Sequence, residues 1–127
     1  MKAYDIYKSA SALMFEKPGQ DKGFQEMFPQ LLSSLLCEAM PYENSTRIGR
    51  GLSRLKTAPV ITSLEDEIDY SDEICRVALP FGACAYFFQD DGENHNALMY
   101  RERFVNALAD AAKCSFESIE DVYGGVE

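Results

Sequence analysis

The first two apolar patterns along the chain have helical spacing. Apolar residues recur at steps of three or four within Ala3–Glu16 and again within Phe24–Ala39, as they do along one face of an α-helix. Lys17–Gly19 contains a proline and a glycine that end the first helix, and Asp21 is placed to cap the second. We predict helix one over Ala3–Glu16 and a second, more deeply buried helix that ends at Met40–Pro41.

The helical periodicity is lost between Pro41 and about Tyr70. The densest run of positive charge in the chain falls in this segment and consists of Arg47, Arg50, Arg54 and Lys56. A connection of this length without regular structure is unusual in a compact domain, which favours an interaction loop. A meandering surface loop packed by its own apolar side chains explains the pattern equally well.

Two further helical patterns follow, over Asp72–Gln89 and Asn94–Lys113. Asp90–Gly92 lies between them and is typical of a turn, because aspartate accepts local hydrogen bonds and glycine permits a positive φ. The short turn predicts that helices three and four form an antiparallel hairpin. Pro29 and Pro80 fall inside predicted helices, so each requires a kink or a break.

Together these patterns predict one all-α domain over residues 1–127. We expect a bundle of about four helices, a long irregular loop over 41–70 between helices two and three, and a C-terminal tail over 115–127. The length suits one domain, which can bury roughly two-thirds of its unfolded surface. The tail contains no basic residue, and its spaced apolar residues are Phe116, Ile119, Val122 and Tyr123.

The charge balance restricts the classes of partner. The chain has 21 acidic and 12 basic residues and a net charge of −9, which disfavours stable binding to nucleic acid phosphates or to an anionic membrane surface. No segment approaches the roughly 18 consecutive apolar residues of a membrane span. The N-terminal pattern is interrupted by charge and does not resemble a signal peptide. We therefore expect a cytoplasmic protein.

Cysteine usage does not indicate a disulfide framework or a zinc site. The chain has four cysteines, which lie far apart and form no C-x-x-C pair: Cys37, Cys75, Cys84 and Cys114. Structural zinc sites use close ligand pairs, and disulfide frameworks belong mostly to shorter secreted chains. We expect all four to act as small apolar residues within helices.

Six carboxylates crowd the segment Glu65–Glu73. They immediately precede helix three, where negative charge offsets the positive end of the helix macrodipole, and Ser71 is a candidate N-cap. The alternative, a metal site, lacks the spacing of a calcium loop. The single histidine, His95, has no partner at metal-ligand spacing and is expected at a surface turn. Because no activated nucleophile or phosphate-binding loop is evident, we predict no catalytic residue, no metal and no cofactor.

Two stretches carry a resemblance to a known family. The run Pro59–Ile74 reads PVITSLEDEIDYSDEI and leads into Val77–Asp91, which reads VALPFGACAYFFQDD. The second stretch is FESIEDVY at Phe116–Tyr123. Together they resemble tailed-phage head–tail connector (adaptor, DNA-packaging) proteins over about half the chain. The resemblance implies a helical, non-enzymatic structural protein that assembles as a ring with the phage portal, in the host cytoplasm and in the virion.

The same resemblance implies partner-binding residues. The basic run at Arg47–Lys56 is expected to face an acidic tail from the next subunit, as in a heterologous ring contact. Exposed ion pairs contribute little, so apolar residues of the tail would carry the affinity. Tail-side proteins are further possible partners. Two alternatives stay open: an acidic helical protein-binding module acting as a regulator or inhibitor, and a metal-dependent enzyme using the Glu65–Glu73 acids with His95.

Overall fold

A computed structural model describes the backbone of residues 1–124 and the side chains of residues 1–113. The helices are α1 (Ala3–Leu13), α2 (Lys22–Gly49), α3 (Leu79–Asp90) and α4 (Asn94–Gly124), and a π-helical turn (Ile74–Ala78) leads directly into α3. The described backbone contains no strand, so the predicted all-α bundle is confirmed. None of the described helices is both long and apolar enough to cross a bilayer.

Helix α3 lies at the centre of the bundle and packs against α1, α2 and α4. A glycine in this helix allows the closest approach: a Cβ added to Gly82 would lie 2.6 Å from Leu35 Cδ2 and 3.0 Å from a ring carbon of Phe104. Interiors packed this tightly do not accommodate an extra methyl group without movement. The small residues in the middle of α3 therefore set the spacing between three helices.

The second helix is longer than predicted. Helix α2 continues through Pro29 and Pro41 to Gly49, so the prediction that it ends at Met40–Pro41 is wrong. Its buried positions recur at steps of three or four as far as Thr46. The last two, Glu43 and Thr46, are polar, and a hydrophobic pattern does not reveal them. Each proline removes one backbone hydrogen bond, which the packing along this continuous face outweighs.

The irregular segment accordingly begins after Gly49 and ends near Ile74, not at 41–70. It packs along α2, where polar side chains replace the hydrogen bonds that regular structure would give its backbone. The Asn44 amide accepts from Leu55 N at 2.7 Å and donates to Leu55 O at 3.2 Å. Ser33 Oγ accepts from Ile61 N at 2.8 Å. This segment is therefore an ordered covering layer of the bundle.

The predicted helix three changes its geometry along its length. Ser71 lies at its start, where its carbonyl accepts from the amides of Ile74 and Cys75, but Ser71 Oγ has no hydrogen-bond partner among the described residues. A π-helical turn follows, with Leu79 N donating to Ile74 O. Pro80 then occupies the first turn of α3, where its missing N–H costs least. The proline is accommodated by the widened turn that precedes it.

Helices one and four end at different residues from those predicted. Helix α1 stops at Leu13 instead of Glu16, and α4 runs to Gly124, past the predicted end at Lys113. The predicted tail over 115–127 therefore belongs to helix α4 up to residue 124. No proline or glycine interrupts the sequence between Lys113 and Gly124, so nothing there stops a helix.

Candidate partner-binding surfaces

The basic segment, defined as Arg47–Lys56, divides into a structural half and a free half. Arg47 is mostly covered: its Nε donates to Glu43 Oε2 at 3.0 Å, and its Nη2 donates to the Asp69 carbonyl at 2.6 Å. Only 15% of its side chain is exposed. Arg47 therefore joins the end of α2 to the irregular segment and is not available to a partner.

Glu43 is the buried centre of this junction. It is 2% exposed, and its Oε1 accepts from Ser71 N at 2.6 Å while its Oε2 pairs with Arg47. Beside it, Tyr70 donates its hydroxyl to Leu36 O at 2.7 Å, and burial strongly raises the pKa of that tyrosine. A buried carboxylate is tolerated because a cation and a backbone amide satisfy both oxygens. The hydrogen bonds of this cluster therefore stabilise the fold by joining α2 to the irregular segment.

The remaining bases are more exposed. Arg50 pairs with Glu73 at 3.3 Å to each carboxylate oxygen, and both side chains are about half exposed. Arg54 and Lys56 are exposed and form no ion pair with any described residue. Two apolar side chains lie in the same segment, Ile48 at 45% exposure and Leu52 at 57%. The free half of the basic segment thus consists of two cations without an ion pair among the described residues, Arg54 and Lys56, and two exposed apolar residues, Ile48 and Leu52.

A groove lies between the N-terminal half of α2 and the C-terminal half of α3. This α2–α3 groove has a volume of about 710 Å³ and is lined by Phe24, Met27, Leu31, Tyr86 and Phe87. Met27 is 56% exposed, whereas Phe24 packs edge-on against Phe87 at 5.3 Å between ring centroids. The floor is therefore a rigid aromatic surface with an adaptable methionine at its edge.

Acidic residues surround this groove: Asp21 and Asp90 on its rim, and Glu16 and Asp91 beside them. Burial, and then the nearby charges of Asp21 and Asp91, raise the pKa of Glu16. Lys17 and Lys22 adjoin these acids in sequence, but no ion pair joins either lysine to them among residues 1–113. The rim therefore has an excess of unpaired negative charge.

Phe15 is a surface residue that the sequence pattern did not single out. It is 98% exposed and adopts a φ of +56°, in the left-handed region that glycine usually occupies after a helix. Its amide donates to Ala12 O, and the next amide, of Glu16, donates to Ser11 O, which closes the end of α1. The only sequence signal is that Phe15 falls off the apolar stripe of helix one, just before the Pro18–Gly19 turn.

The acids of Glu65–Glu73 do not converge on one point. Glu65 pairs with Lys2, and Glu67 pairs with the N-terminal amine. Asp66 instead accepts from the amides of Thr62 and Ser63, which lower its pKa. Within residues 1–113 no three His, Cys, Asp or Glu side chains are grouped so that they could hold a metal ion. His95 is exposed in the first turn of α4.

The cysteines differ in environment. Cys75 and Cys84 are buried, as predicted, and burial raises the pKa of each thiol to about 12. Cys37, expected to act as a small apolar residue of a helix, is instead exposed on α2. Its position follows Leu35 and Leu36 in the helix, one residue beyond the buried face. The side chains of Cys114 and of the predicted anchors Phe116, Ile119, Val122 and Tyr123 lie outside the described residues.

Comparisons with known protein families, with curated proteins and with solved structures found no match to this chain. Any role for the surfaces described above is therefore inferred without a relative of known function. They comprise the free half of the basic segment, the α2–α3 groove with its acidic rim, and the exposed ring of Phe15. All three leave apolar side chains exposed at the surface.

Proposed function

We propose that this chain is a non-enzymatic phage structural protein, a head–tail connector or adaptor that assembles with the portal in the host cell and remains in the virion. The resemblance of Pro59–Asp91 and Phe116–Tyr123 to such proteins supports this assignment. The helical architecture agrees with it. The enzyme alternative draws no support from the Glu65–Glu73 acids, since each described acid of that group has a structural contact of its own or faces solvent.

The observation that carries an assembly role is the placement of exposed apolar side chains. Phe15, Val60, Leu98 and Leu52 are 98%, 77%, 71% and 57% exposed, and they lie in the turn after α1, in the irregular segment and on α4. A regulator that binds one enzyme needs one such surface. Apolar residues on several elements suit a subunit with neighbours on more than one side.

The charge fits the same role. A net charge of −9 repels phosphates, so DNA passing through a ring of such subunits would not adhere to it. Contacts with the portal would then depend on apolar anchors, for which Phe15 and the C-terminal residues Phe116, Ile119, Val122 and Tyr123 are the candidates. The unpaired cations Arg54 and Lys56 would assist at the edge of a contact.

Co-expression with the portal protein of the same genome tests this proposal. We expect the untagged chain to be retained on a tagged portal and to add a ring of density in negative-stain electron micrographs. Truncation after Lys113 should weaken retention, and Val105→Ser, which alters a less exposed apolar residue, should not. Failure of the full-length chain to bind the portal would contradict the proposal, and one-to-one capture of a host enzyme would favour the regulator alternative.

A further inference from the structure

The basic segment and the α2–α3 groove lie at opposite ends of one helix. Met27 and Ile48 are both on α2, and 21 residues at 1.5 Å each separate them by roughly 30 Å. Ile48 is held at the far end of this helix, and the backbone of Leu55 is held against Asn44 by two hydrogen bonds, so the basic segment does not reach the groove of its own chain. Any contact between these two surfaces must therefore join different molecules.

The two surfaces are complementary in character. The groove offers an aromatic floor with Met27 at its edge and, on its rim, acids that form no ion pair with a described residue, of which Asp21 also caps α2 by accepting from Phe24 N. The basic segment offers the apolar side chains of Ile48 and Leu52, flanked by the unpaired cations Arg54 and Lys56. Apolar side chains entering a groove supply affinity, while opposite charges at the rim fix orientation and exclude other partners.

We propose that the free half of the basic segment of one copy, with Ile48 and Leu52 as anchors, inserts into the acidic-rimmed α2–α3 groove of a second copy. The contact joins two different surfaces of the same chain, so it is heterologous and repeats from copy to copy until a ring closes or a filament grows. This inference rests on the proposed assembly role, because it names the contact between neighbouring subunits.

A heterologous contact predicts a distinctive result for variants that each lose one surface. Met27→Glu places a charge at the edge of the groove, and the double variant Leu52→Glu/Arg54→Glu alters the basic segment. All three side chains are exposed, so the fold should tolerate the changes. Each variant alone should self-associate at least tenfold more weakly than the wild type. Mixed together, each retains the surface that the other lacks, and they should form a heterodimer and nothing larger.

Sedimentation velocity of the full chain from about 1 μM to about 1 mM measures this. Val77→Glu, an equally drastic change at an apolar residue that is 48% exposed and lies outside both surfaces, is the matched control and should associate like the wild type. A wild type that stays monomeric throughout, a Val77→Glu variant as defective as the others, or a mixture without heterodimer would overturn the inference. Loss of association on truncation after Lys113 would overturn it as well, since the C-terminal segment would then be the occupant.

Portal binding by the same variants separates this inference from the proposed function. If the wild type binds the portal but never self-associates, the inter-subunit contact is wrong and the connector role stands. If heterodimers form as expected and the portal is not bound, the inter-subunit contact stands and the head–tail role is wrong.

Discussion

The carboxylate of Glu43 accepts a hydrogen bond from the backbone amide of Ser71 at 2.6 Å, although 28 residues of chain separate them. This bond joins the C-terminal half of α2 to the start of the π-helical turn. Arg47, on the next turn of α2, pairs with the same carboxylate. The buried carboxylate of Glu43 therefore fixes the C-terminal end of the irregular segment against α2.

Replacing Glu43 with alanine should destabilise the protein by about 3 kcal/mol, because it leaves a mostly buried guanidinium with less compensation and a buried amide without its acceptor. Glu73→Ala is the matched control: it removes a glutamate that also pairs with an arginine of this region, but in solvent, and should cost at most about 1 kcal/mol. Urea denaturation followed by circular dichroism measures both. Equal effects of the two changes would contradict the structural role of Glu43.

Gly82→Ala and Gly23→Ala should change stability in opposite directions. A Cβ at Gly82 would lie 2.6 Å from Leu35 Cδ2, whereas a Cβ at Gly23 would meet only Asp21 Oδ1 at 3.5 Å. We expect Gly82→Ala to lower the free energy of unfolding by about 1–3 kcal/mol through overpacking. Gly23→Ala should raise it by about 0.5–1 kcal/mol by restricting the unfolded chain. Stabilisation by both changes would show that α3 is not closely packed at Gly82.

Phe15→Gly should stabilise the chain by about 1 kcal/mol, because glycine adopts a positive φ without the steric cost of a Cβ. The lost phenyl ring is 98% exposed and contributes almost nothing to the core. If Phe15 is a partner anchor, the same variant should bind the portal more weakly despite being more stable. Thermal unfolding and portal retention measured on one preparation test both effects. Unchanged portal retention would leave Phe15 without the proposed role.

Thiol reactivity should separate Cys37 from Cys75 and Cys84. In a Cys114→Ser background, one thiol should react rapidly with a water-soluble disulfide reagent under native conditions, and Cys37→Ser should abolish that reaction. The other two should stay slow even at pH 9, since burial holds the pKa of each near 12 and keeps the nucleophilic thiolate scarce. Rapid reaction of two or three thiols would contradict the burial of α3 and the π-helical turn.

The hydrophobic pattern predicts helices where the buried face consists of apolar residues. It fails to predict helix α2 where polar residues lie on that face. The face of α2 continues through Glu43 and Thr46, both almost fully buried, so the helix extends past a proline that looks like its end. The buried status of Glu43 depends on Arg47, one helical turn away, and on Ser71, which meets it only in the folded chain. Hydrophobic spacing contains no information about such a pairing.

The candidate surfaces were predictable to a smaller extent. The pattern identifies the basic run but not its division, because the pairing of Arg47 with Asp69 and of Arg50 with Glu73 is a tertiary effect. The α2–α3 groove combines residues more than fifty positions apart, from Phe24 to Phe87. The continuation of α4 to Gly124 was predictable in principle, since no helix-breaking residue precedes that glycine.

The mass of the complex between this chain and its portal is the most direct test of the account. Mass photometry of the co-purified complex should give the portal ring plus several copies of the 14.3 kDa chain, in a fixed ratio that does not change with excess chain. A portal that is measured at its own mass at every concentration of this chain would contradict the assignment.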